Sequence, residues 1–206
     1  MLTNDHIEKV YLSYRDSLEY PDGCKNKPQF DICPIGLVGA GKSTVLRKIC
    51  KNLPLVRISS DELRRLLIDE GLDPKIAPSL GARMNIELKH QGYSIAQDND
   101  LAPFAVQKAV EKIDRELGIT EFWIHINPPE EFIIHKLQNY KHDWLFEDAN
   151  QAIANYFARK DLHARDVTRK FDFVFDTSRD DLDEQVNQFV ELAKSRLSQK
   201  LVSLTN

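Results

Sequence analysis

The stretch "GLVGAGKST", Gly36 to Thr44, follows the apolar run "FDICPI", Phe30 to Ile35, and its reading decides the fold. Gly36, four further residues, then Gly41, Lys42 and Ser43 satisfy the phosphate-loop pattern, provided a strand precedes and a helix follows. Both are present in the pattern of the chain. The run before the loop reads as a strand continuing to Val38. After it, Val45, Leu46, Ile49 and Leu53 recur at helical spacing. A loop of this kind turns successive backbone N–H groups inward and points a helix N-terminus at bound anions. Gly36, Gly39, Ala40, Gly41, Lys42, Ser43 and Thr44 are therefore the expected nucleotide-binding residues. Lys42 is placed to neutralise the β- and γ-phosphates of ATP, and the Ser43 hydroxyl to ligate Mg2+.

Outward from the loop, strands alternate with helices. Strands are expected at "LVRIS" (55–59), "YSIAQ" (93–97), "EFWIHI" (121–126) and "FDFVFDT" (171–177). Helices are expected over 42–51, 61–70, from about 82 to His90, 102–117, after Pro128 and Pro129, near 150–169, and from about Asp181. The segment 71–81, with two prolines, reads as a loop. Such alternation implies a mainly parallel sheet covered on both faces. Ahead of it, Ile7, Val10, Tyr11, Tyr14 and Leu18 form one face of an additional helix, an N-terminal extension of about residues 1–27. Pro34 is the one residue out of keeping with a central strand, because it removes a ladder donor; the regular strand is expected to be shorter or bulged there.

At 206 residues the chain is expected to form a single domain. No apolar run approaches membrane-spanning length and the first residues do not resemble a secretory leader, so a cytoplasmic location with no membrane partner is expected. Three cysteines at unrelated spacings suggest neither a disulfide framework nor a zinc site. His90, His125, His135 and His142 have no ligand spacing either. A formal net charge of −4 gives no global attraction for nucleic acid, which leaves a local basic patch as the only route to it.

Three further constellations bear on chemistry. In "RISSDELRRLL", Ser59 and Glu62 form an S-x-x-E capping box, so Asp61 falls in the first helical turn with Arg64 on the same side. At the carboxyl edge of a parallel sheet, Asp61 can receive the proton of an attacking hydroxyl and Arg64 can hold an anionic group. The alternative is a surface pair at a helix start, where acidic residues are favoured anyway. Asp98 ends the strand "YSIAQ" and is the first choice for a second magnesium ligand, with Asp100 the second. Asn99 and Asp100 also suit an Asx turn. Finally, Arg159, Lys160, His163, Arg165, Arg169 and Lys170 cluster in one helical segment. That segment is either a lid presenting arginine to the transferred group or a solvated basic face.

In order, "GLVGAGKST", "ISSDELRR", "GYSIAQDND", "INPPEEF" and "FDFVFDTS" resemble the P-loop kinases grouped with zeta toxin and the kinase domain of polynucleotide kinase, which are also counted among AAA-type ATPases. The resemblance runs over about residues 30–195. It implies a three-layer α/β P-loop NTPase fold with a helical lid, Asp61 as the residue that activates the acceptor hydroxyl, Arg64 as a substrate-binding arginine, and Asp98 as the acid after the third motif. It further implies Arg159 as a lid arginine, and Thr177 and Arg179 near the adenine base. Family members often carry an arginine in the helix after "PPEEF", where this chain has His135 and Lys136.

The expected activity is ATP- and Mg2+-dependent transfer of the γ-phosphoryl group to a hydroxyl of a small molecule, a nucleotide sugar or a nucleic-acid 5′ end, with nucleic acid not favoured. A regulatory ATPase switch acting through a protein partner is the rival from another class. Oligomeric state and ATP-versus-GTP preference are not legible.

Overall fold

The computed structural model describes residues 4–25, 27–99, 104–139, 145–166, 168 and 170–205. Five strands form one parallel sheet: β1 (Phe30–Ile35), β2 (Val56–Ser59), β3 (Ile95–Asp98), β4 (Thr120–Ile126) and β5 (Phe173–Phe175), in the order β2-β3-β1-β4-β5. The helices are α1 (Asn4–Asp16), α2 (Lys42–Cys50), α3 (Ser60–Asp69), α4 (Ala77–His90), α5 (Phe104–Leu117), α6 (Glu130–Asn139), α7 (Ala149–Asp166) and α8 (Leu182–Thr205). This is the three-layer α/β P-loop NTPase arrangement.

Alternation along the strands sorts side chains between two cores. Ile32, Ala96, Phe122 and Ile124 pack with Val45, Leu46 and Ile49 of α2 and Phe189 and Val190 of α8. Val56, Ile58 and Ile95 pack with Leu63 and Leu67 of α3, Met84 and Leu88 of α4, and Val10, Tyr11 and Tyr14 of α1. Each fully buried aliphatic or aromatic side chain contributes roughly 1.5–3 kcal/mol, so both faces hold the sheet. The period of two also puts Arg57 and Ser59 opposite the Val56/Ile58 side, and places Asp98 with Ala96 on the α2 side.

Several boundaries differ from the expectation, each for a local reason. The 71–81 stretch is not a loop. Pro74–Ile76 form a 3-10 turn whose Asp73 side chain accepts the Lys75 N–H, and α4 begins at Ala77 with Pro78 in its first turn, where the missing N–H costs nothing. β1 ends at Ile35 rather than Val38. Pro34 remains within it, opposite Ile124, while the ladder to β3 stops at Ile32, so the strand is shortened on one side only. β5 is three residues long. Gly92 closes α4 as expected, with φ of 89° and its N–H on Lys89.

Candidate functional site

In a parallel sheet all strands deliver their carboxyl ends to one edge, and the neighbours β2, β3 and β1 bring three of the candidate segments together there. The phosphate loop leaves β1 at Gly36. Gly41, the N-cap of α2, has φ of 98°, and no side chain caps it, so the helix N-terminus stays open toward the loop. Lys42 lies across the loop, donating to Gly36 O at 2.9 Å and Leu37 O at 3.3 Å. Space around the loop is tight. A Cβ on Gly36 would lie 2.8 Å from Ile126 O, and one on Gly41 3.0 Å from the Thr177 methyl. Thr44 is exposed on the first turn of α2, and Ala40 is buried in the core that includes Val45 and Leu46.

β3 supplies Asp98, in register with Ser59 of β2. Its Oδ1 accepts the Ser43 hydroxyl at 2.9 Å. A hydroxyl and a carboxylate that close form a two-oxygen donor set. That fits Mg2+, which takes one or two protein oxygens and completes its shell from phosphate and water. The second oxygen of Asp98 is held by Arg57, a residue the sequence reading passed over. Arg57 also ion-pairs with Glu62, to which Arg47 of α2 donates at 3.3 Å. A charged network therefore runs from the phosphate loop through β3 and β2 to α3. The available signal was the arginine in "VRIS", set two residues from Ser59 and so on the same side of the strand.

Asp61 and Arg64 occupy the first and second turns of α3, and Arg64 Nη1 donates to Asp61 Oδ1 at 2.7 Å. Asp61 is half-exposed while Arg64 is largely covered. Only half of the expected capping box forms. The Glu62 N–H reaches Ser59 Oγ at 3.4 Å, but the Ser59 N–H is taken by the Tyr14 hydroxyl at 2.8 Å, and that hydroxyl in turn donates to Ser59 O at 3.0 Å. α1 is thereby fastened to the end of β2.

On the other side of the loop, Thr177 Oγ1 donates to Ala40 O at 2.7 Å, bringing the segment after β5 against the phosphate loop. Arg179 turns outward and pairs with Asp181. The basic segment is α7. Arg159 is exposed, and Lys160 pairs with Glu130 of α6, which also accepts the Tyr156 hydroxyl at 2.9 Å. One turn beyond Arg159, His163 Nε2 lies 3.3 Å from His125 Nε2 at the end of β4, and His125 stacks on Phe171 with centroids 4.7 Å apart. Burial, and then His163, push His125 down to about 4; burial and Lys42 lower His163. Two neutral imidazoles thus pin α7 beside the loop lysine, although His125 shows no ligand spacing in the sequence. Asp100, Arg169 and the side chain of Arg165 lie outside the described residues.

Residues 32–143 match the family model described as AAA domain. No curated protein matches the chain. Among solved structures it is similar to the PezAT chromosomal toxin-antitoxin system of Streptococcus pneumoniae, with a TM-score of 0.59 and 15% identity over 96% of this chain and 97% of that one. Shikimate kinase from Acinetobacter baumannii, in complex with shikimate, gives 0.52 and 14% over 82% and 96%. The APS kinase CysC of Mycobacterium tuberculosis, in complex with AMPPNP and APS, gives 0.50 and 15% over 81% and 98%. At these identities the likeness is one of fold, and it is the fold of P-loop kinases. No helix among the described residues is long and apolar enough to cross a membrane. The family match, in contrast, rests on sequence and takes in more than half of the chain, from β1 past α6, so the chain belongs to the AAA domain family.

Proposed function

We propose that the chain is an ATP- and Mg2+-dependent kinase that transfers the γ-phosphoryl group to a hydroxyl acceptor, acting as one domain to which α1 is an N-terminal extension. The observation that carries this reading is the junction of β2 and α3. Asp61 stands two residues beyond Ser59, which is in register with Asp98, and Asp98 is bonded to Ser43 of the phosphate loop. A carboxylate and a phosphate site are thus mounted on one sheet edge.

In this mechanism the loop N–H groups and Lys42 hold the β- and γ-phosphates. Ser43 and Asp98 would hold the magnesium ion, which would supply charge neutralisation to the phosphate oxygens. The acceptor oxygen forms a bond to the γ-phosphorus as the bond to the β,γ-bridging oxygen breaks. Its proton passes to Asp61, and ADP departs. Arg64 orients Asp61 and the acceptor. Because the transition state is loose, Asp61 acts chiefly by orienting the nucleophile, so its ion pair with Arg64 is no obstacle. Arg159 of α7 offers charge to the phosphoryl oxygens, while Thr177 and Arg179 border the base. The acceptor is a small hydroxylated molecule, a nucleotide sugar or, less favoured by the net charge, a 5′-hydroxyl end.

The test is transfer of labelled γ-phosphate from ATP with Mg2+ into nucleosides, nucleotide sugars, polyols and 5′-hydroxyl oligonucleotides, with Asp61→Ala and Lys42→Ala alongside. Label should enter one acceptor class. Asp61→Ala should lower turnover at least about a hundredfold, the scale of a general base, with ATP affinity nearly unchanged. Release of label only as inorganic phosphate, equally fast in Asp61→Ala, would replace this reading with a regulatory ATPase.

A further inference from the structure

Tyr14 lies on α1, ahead of the residues that match the family model, and is 4% exposed. Its hydroxyl engages both backbone groups of Ser59, accepting from N–H at 2.8 Å and donating to the carbonyl at 3.0 Å. In a complete capping box the Ser59 N–H would be satisfied by the carboxylate of Glu62. With that position occupied by the phenol, Glu62 turns to Arg57 instead, and Arg57 reaches Asp98. Asp98 in turn accepts from Ser43 at 2.9 Å. Glu62 keeps Arg57 together with Arg47 at 3.3 Å, and the capping-box bond that would draw it off both arginines is the bond that α1 has taken.

We propose that Tyr14 is a positioning residue for Asp98: by occupying the Ser59 N–H it keeps Glu62 on Arg57, so that the guanidinium against Asp98 is partly neutralised. The proposal rests on the preceding reading only in that Ser43 and Asp98 hold the magnesium ion of a bound nucleotide. The physical argument is one of competing cations. The Arg57 side chain is 17% exposed and that of Asp98 4%, so their contact is poorly screened. An arginine lacking its second carboxylate opposes a divalent ion at Asp98 more strongly than one shared with Glu62. Removing the phenolic oxygen leaves the Ser59 N–H without an acceptor, which is costly in a buried setting. Glu62, three residues along the same helix start, is the group whose chain position lets it answer that N–H.

The experiment follows binding of a fluorescent ATP analogue by the full chain as Mg2+ is titrated. Its variants are Tyr14→Phe, Glu62→Gln, the double variant and Tyr11→Phe. Tyr11 is the control, since its hydroxyl anchors the same helix through Glu87 at 2.6 Å without touching Ser59. Tyr14→Phe should raise the half-saturating Mg2+ concentration roughly three- to tenfold, the size of one partly exposed charge pair. Glu62→Gln should raise it equally, and the double variant no further, because both act through one contact. Tyr11→Phe should leave it unchanged, and binding in EDTA should be the same in all. Wild-type Mg2+ dependence in Tyr14→Phe overturns the proposal, as do additive shifts in the double variant or an equal shift in Tyr11→Phe. If Tyr14→Phe does not fold, an unchanged Mg2+ dependence in Glu62→Gln overturns it alone. A wild-type chain that binds no nucleotide with Mg2+ overturns it together with the kinase reading.

Discussion

Gly41 shows how much a single position governs the loop. Its φ of 98° is open to glycine and strained for other residues, and a Cβ there would meet Thr177 Cγ2 at 3.0 Å and Oγ1 at 3.2 Å. Gly41→Ala is expected to fold, at a cost of about 1–2 kcal/mol. It should lose at least about tenfold in nucleotide affinity, because the N–H groups of the first turn of α2 no longer converge. Equilibrium binding of an ATP analogue, paired with a thermal melt, checks both halves; full affinity would mean that the nest tolerates the shift. Residue identities such as Gly41, Lys42 and Ser43 were legible because the backbone they require is encoded locally. Arg57 and Tyr14 were not, since their partners lie 41 and 45 residues away along the chain. Spacing within "VRIS" tells which side of the strand Arg57 takes, but not that Asp98 meets it there.

Elements were legible where periodicity was strong. The strand and helix on either side of the phosphate loop follow from apolar spacing, whereas α4 was missed in its first turn because Pro74 and Pro78 read as breakers, although a proline in the first turn is harmless. Register was beyond reach, and with it the pairing that sets Ser59 opposite Asp98. One element contact was equally hidden. Lys89 of α4 is fully buried and ion-pairs with Asp31 of β1 and Asp114 of α5, joining three elements at the edge of the sheet opposite the site. Burial raises the Asp31 carboxyl, and burial followed by Asp31 pushes Asp114 up to about 7. Lys89→Met would leave two carboxylates without their cation, and a loss of roughly 3–5 kcal/mol is expected from breaking a buried pair by one partner. A urea midpoint measures it. A loss below about 1 kcal/mol would mean that the two carboxylates share a proton and need no lysine.

At the scale of the whole molecule, α7 is held to the sheet by groups that titrate. His125 has its folded value pushed down to about 4, against an ordinary histidine near 6.5. A depressed histidine binds protons more readily when unfolded. Its contribution is therefore complete above about pH 6.5 and is lost as pH falls toward 4. The melting temperature should decline across that window, and His125→Leu should flatten the decline; an identical slope in the variant would place the acid sensitivity elsewhere. The same scale gives the pair of hydrogen bonds between Tyr14 and Ser59 another meaning. β2 borders the sheet, with β3 on one side only. A border strand offers bare peptide groups that another chain can extend into a longer ribbon. By supplying a donor and an acceptor from one oxygen, the phenol mimics a neighbouring peptide unit and closes that border where it meets the site. Detaching α1 would strip the phenol from the Ser59 N–H and carbonyl and leave that end of the border strand bare, the condition under which sheet edges accept further strands.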